Sequence, residues 1–96
     1  MFKTADELVA FAKTLVVDPH GTTLNPYEEA VRKWKYGEHG GFFSNLWCAI
    51  VKADFGNLLK LYNAFPVEIV GYVAYGHKEG WWEAVAEKMA RLGIKV

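Results

Sequence analysis

From Gly40 to Gly76 the chain carries only four charged side chains, Lys52, Asp54, Lys60 and Glu68, while Phe, Trp, Tyr, Leu, Ile and Val recur throughout. A stretch so poor in charge must be largely withdrawn from water or laid against a partner. The middle of the chain is therefore the core, or part of it is an interface. Ninety-six residues leave room for one hydrophobic core, so residues 1–96 read as a single domain. The apolar load on that domain is heavy. Apolar residues make up 52% of the chain, and twelve of the fifteen aromatics lie between Trp34 and Trp82.

Eleven basic residues balance eleven acidic ones, a net charge of zero that argues against both a basic nucleic-acid binder and an acidic nucleic-acid mimic. The apolar content excludes disorder. A lone cysteine, Cys48, permits no internal disulfide and fits a reducing compartment, so the cytoplasm is the expected location. Met1 to Glu7 lacks the features of a secretory signal, and the longest uncharged run, Gly40 to Val51, is too short to span a bilayer. A soluble protein without a membrane partner is expected.

Capping signals divide the chain into short helices. Thr4 and Glu7 form a capping box ahead of an apolar stripe at Leu8, Phe11, Ala12 and Leu15. Asp18-Pro19-His20-Gly21 reads as a type I turn. Asn25, Pro26 and Glu28 then start a second helix with Tyr27, Ala30, Val31 and Trp34 inward and with Glu28–Arg32 and Glu29–Lys33 pairs on a solvated face. Gly37 closes it. Phe43, Leu46, Trp47, Ile50 and Val51 form a third stripe, which reads as central, and Asp54 caps a fourth helix running to Phe65. Val67 to Tyr75 has the β-branched content of a strand, but its length, its proline start and its helical company favour a fifth helix. A last helix carries Trp82, Val85, Ala86, Met89 and Leu92, ending at Gly93 with Ile94 folded back on the final turn.

Chemistry finds little footing in these residues. His20, His39, Cys48 and His77 share no ligand spacing, and each histidine adjoins a glycine in an expected turn, so no metal site and no cofactor are predicted. Cys48 lies among apolar neighbours, where a thiolate is disfavoured, and reads as a core or flank residue. The only serine, Ser44, lacks a nucleophile elbow. The segment Gly71 to Lys78 departs from a phosphate loop, with His77 where lysine belongs. Gly40 and Gly41 ahead of a helix could offer backbone N–H groups to an anion, although such glycines are ordinary loop chemistry. Arg32 to Tyr36 mixes cations with aromatics, but the acids around it and the inward Trp34 favour a solvated face over nucleic acid. No catalytic residue is assigned, and an enzyme is not expected.

Adjacent helical residues diverge by about 100°, so Trp81 and Trp82 cannot both sit at the centre of one stripe. With Trp82 placed among Val85 and Met89, Trp81 falls on the flank. Tyr72 and Tyr75 lie nearby, with Lys78 beside them. Exposed Trp and Tyr are enriched where partners bind, which makes Trp81, Tyr75, Tyr72 and Lys78 the predicted partner-binding residues. The competing reading is that Trp81 covers a core edge.

Phe42 to Asp54, followed by Asn57, Lys60-Leu61, Phe65-Pro66 and Glu68, resembles a group of small helical proteins encoded by bacteriophages and prophages. The match covers Phe43 to Tyr72, marks no active site, and leaves the flanks without a counterpart. The same residues have a structural account, since Asp54 caps a helix, Phe65 fills a corner and Pro66 starts the next helix. The resemblance implies a mobile-element setting, in which small proteins often bind and block a host protein, including defence machinery such as CRISPR complexes. The expectation is thus an all-α single-domain bundle of five to six short helices, with the Phe43–Phe65 hairpin at its centre. It would bind a host or phage protein stoichiometrically, as an anti-CRISPR-like inhibitor of host defence. The alternatives are a self-associating scaffold homodimer and a small-ligand pocket lined by the central aromatics.

Overall fold

The computed structural model describes residues 2–94, and every regular element in it is an α-helix. The six are α1 (Ala5–Lys13), α2 (Pro26–Lys35), α3 (Gly41–Lys52), α4 (Phe55–Tyr62), α5 (Pro66–His77) and α6 (Trp81–Leu92). Each start and stop has a local cause. Both capping boxes form: the Glu7 N–H donates to Thr4 and the Glu28 N–H to Asn25, with each glutamate accepting from the backbone of its cap. Asp54 accepts from the Asn57 N–H at 2.9 Å. Pro66 opens α5, and the expected helix over residues 67–75 is present. Gly93 is left-handed at φ 73°, and the Ile94 N–H returns to the Met89 carbonyl at 3.0 Å. A Cα radius of gyration of 13.2 Å is that of one compact domain of this length. Among the described residues no helix is long and apolar enough to cross a membrane.

The centre of the bundle is α5, which packs against α1, α2, α4 and α6. This corrects the expectation that the Phe43–Phe65 hairpin is central. Ile69, Val70, Gly71, Val73 and Ala74 are all buried, covering about 200° of the α5 surface at 100° per residue. On α3 only Leu46, Trp47 and Ile50 are buried, while Phe42, Phe43 and Val51 are exposed. The physical reason is bulk. Small and β-branched side chains let neighbours approach α5 from several sides, whereas α3 offers one narrow stripe. The closest approach is at Gly71, where an added Cβ would lie 3.0 Å from both the Tyr27 carbonyl oxygen and the Val31 side chain.

A second correction concerns α2. Glu28 does not belong to a solvated face; it is fully buried and pairs with Lys88 of α6 at 3.1 Å, and Lys88 is itself buried. The same Glu28 oxygen accepts the Asn25 N–H at 2.9 Å. Arg32, expected to pair with Glu28, instead holds Glu29 at 2.5 Å and Glu38 at 2.9 Å. The turn before α2 closes over Lys88, since a Cβ on Gly21 would stand 3.2 Å from the lysine Nζ. Arg91 donates to the Gly21 carbonyl.

Three outcomes follow for urea unfolding. Gly71→Ala lowers stability by about 1–3 kcal/mol through overpacking against α2, despite better helix propensity. Gly76→Ala in the same helix meets nothing within 4 Å and raises stability by up to about 1 kcal/mol. Glu28→Gln or Lys88→Met alone, each leaving an unmatched buried charge, costs about 3–5 kcal/mol, and the double substitution costs less than the sum.

Candidate functional site

The predicted partner-binding residues occupy a packed seam. Trp81 is only 2% exposed, which corrects its placement on the flank. The buried stripe of α6 is Trp81, Val85, Lys88 and Met89, and Trp82 is the half-exposed member of the pair. The cause lies at the helix start. Gly80 turns the chain at φ 79°, and the Trp81 N–H returns to the Lys78 carbonyl at 3.1 Å, rotating Trp81 inward. Because Lys88 joins the stripe through Glu28, the inward face no longer coincides with the most apolar face.

Tyr72 and Tyr75 are half-buried and committed to other rings. Trp34 stacks on Trp47 with centroids 4.7 Å apart and planes within 7°. Tyr72 meets both edge-on at 5.7 and 6.3 Å. Tyr75 reaches Trp34 at 5.4 Å and Trp82 at 6.0 Å. Lys35 donates to the Tyr75 hydroxyl at 2.9 Å and lies 4.7 Å from its ring centroid. These aromatics join α2, α3, α5 and α6, and their faces serve the fold. Lys78 ends α5, its N–H bonded to the Ala74 carbonyl.

The most exposed aromatic among the described residues, Phe42, lies elsewhere, where the first turn of α3 meets the start of α5. Phe42 is 65% exposed and Phe43 36%; with half-buried Phe65 they form a cluster with centroids 5.3 to 6.4 Å apart. Sequence reasoning placed Phe43 in the central stripe and left Phe42 unassigned. The signal was available, since adjacent residues diverge by about 100° and Phe42-Phe43 poses the problem recognised at Trp81-Trp82.

Beside this corner a cavity of about 390 Å³ opens between α2, the following loop, α3 and α5. Phe43 and Trp47, with Pro26, Ala30 and Val67, form its apolar lining; Glu29, Glu38, Glu68, Lys33 and His39 supply its polar groups. Arg32 joins Glu29 to Glu38, and its hydrogen bond is the main cause that holds the Glu29 carboxyl below its ordinary value, against a smaller upward push from burial. The hydrogen bonds that Arg32 donates to Glu29 and Glu38 in turn raise its guanidinium. Glu68 and Lys33 take part in none of the ion pairs among the described residues. His39, expected to be a solvated turn residue, has both ring nitrogens buried without a protein partner. Cys48 is exposed on α3. Among the described residues no three His, Cys, Asp or Glu side chains are placed to hold a metal ion.

The Glu29–Arg32 pair carries a pH prediction. Glu29 is lowered from 4.5, so its stabilisation is fully present above about pH 4.5 and is lost as pH falls through the lowered value. Its side chain is 41% exposed, and solvent screening limits the contribution to under about 1 kcal/mol. Urea unfolding should show a difference between wild type and Glu29→Gln at neutral pH that shrinks steadily below about pH 4. Comparison of the chain with protein-family models, curated proteins and solved structures returned no match.

Proposed function

We propose that this chain is a non-enzymatic, stoichiometric protein binder of the phage-accessory type that blocks a host protein, with host-defence complexes as the leading class of target. The observation that carries the reading is the exposed phenylalanine corner. Phe42 presents most of its ring to solvent on the first turn of a helix, backed by Phe43 and Phe65. Burying one such ring against a partner contributes about 1.5–3 kcal/mol, and a cluster of rings held by a rigid helix concentrates that gain at one point. Zero net charge supports recognition by shape and aromatic contact more than by long-range field. The phage setting and the defence target rest on the resemblance of Phe43 to Tyr72 to phage-encoded helical proteins.

The phenylalanine corner replaces the Trp81 surface as the proposed contact, because Trp81 is enclosed and Tyr75 is held by Lys35. A second reading, a homodimer, draws on the outer face of α3, where Val51 is 50% exposed and Cys48 is also exposed. Light scattering separates the two, since a monomer at high concentration eliminates the homodimer.

The test is Phe42→Asp. Its circular dichroism and urea midpoint should match wild type, because the ring is mostly in solvent. In a complex reconstituted from a partner first captured from host lysate, affinity should fall by more than about 30-fold. Unchanged affinity would remove this corner from the interface.

A further inference from the structure

We propose that the cavity beside the phenylalanine corner receives a guanidinium group, the side chain of an arginine presented by the partner. The proposal rests on the interaction face described above and names the chemistry recognised there. Both Glu29 oxygens accept from Arg32, and most of the cavity's remaining acceptors have no donor. Glu68 is half-buried and unpaired, Glu38 spends one oxygen on Arg32, and His39 has two buried ring nitrogens that no protein group meets. A carboxylate offers only acceptors, so the ligand complementary to Glu68 and the free Glu38 oxygen is rich in donors.

Guanidinium carries five N–H donors and no acceptor, and its plane stacks on aromatic faces. Phe43, 36% exposed, supplies such a face on the same wall. Size agrees: about 390 Å³ is at the lower end of ligand pockets and suits one side chain better than a cofactor. Charge favours a cation, because Glu29, Glu38 and Glu68 outnumber Arg32 and Lys33 by one. An anion drawn to the uncapped N-terminus of α3 at Gly40 would face those same carboxylates. Lys33 is the internal competitor, and its exposed side chain forms no ion pair among the described residues.

The experiment titrates N-acetyl-arginine amide into the ¹⁵N-labelled protein and follows the Trp47 indole and the His39 and Phe43 amides. N-acetyl-citrulline amide, of the same shape without charge, and inorganic phosphate are run in parallel. Saturable shifts confined to the cavity residues are expected for arginine, with citrulline at least about tenfold weaker and Glu68→Gln weakening the arginine response by about tenfold. An arginine response that does not saturate, an equal response to citrulline, or phosphate shifting the cavity residues in arginine's place would overturn the proposal. The two readings fail separately. No arginine response in a protein whose Phe42-dependent complex forms normally removes the pocket alone, whereas an arginine response in a protein that forms no complex removes the interaction face alone.

Discussion

A carboxylate with no exposure to water decides how α2 lies in this molecule. One oxygen of Glu28 accepts both the Asn25 N–H, which starts the helix, and the Lys88 ammonium, which belongs to α6. Local helix initiation and tertiary docking thus share one atom. Removing two charges from water costs several kcal/mol per ion, an expense offset only where geometry is good and further hydrogen bonds are made. The second Glu28 oxygen is buried without a protein partner, so the pair contributes less to net stability than to specifying one arrangement. Docked this way, α2 meets α5 across Gly71 and carries Glu29 and Lys33 to one side and Trp34 to the other. The first two line the cavity, and Trp34 begins the aromatic seam.

Two groups within the aromatic excess have different surroundings. Trp34, Trp47, Tyr72, Tyr75 and Trp82 pack ring against ring, and Lys35 covers the open side of Tyr75. This seam unites four short helices, none of which is long enough to be stable alone. Phe42, Phe43 and Phe65 form the second group, and the fold leaves them partly in water. Exposing large rings beside a cavity gains nothing for a monomer, and the contrast between the filled seam and the open corner is the ground for proposing an interaction face there.

What was legible in the sequence was local. Thr4 with Glu7, Asn25 with Glu28, Asp54, Pro66 and Gly93 act within a few residues of themselves, and the helices they delimit are present. The direction each helix faces was less legible, because it depends on segments far away in the chain. Glu28 has the spacing for an exposed pair with Arg32, and nothing near it announces Lys88, sixty residues on. That distant pairing also puts Lys88 on the inward face of α6 beside Trp81, so the apolar pattern alone pointed to Trp82. The cavity was beyond reach for the same reason, since His39, Phe43 and Glu68 converge only after α5 has taken the centre. The low charge between Gly40 and Gly76 marked a stretch that holds much of the core and also exposes Phe42, Phe43 and Val51, without saying which part was which.

Site-specific photocrosslinking tests the central claim, that the phenylalanine corner is the working surface, most directly. Benzoylphenylalanine would replace Phe42 in one protein and Val16, 79% exposed on the chain after α1, in another, and both would be irradiated in host cells. The account predicts one discrete adduct with a different protein from position 42 and none in common from position 16. The same adducts from both positions, no adduct from position 42, or a product of twice the chain's own mass would contradict it.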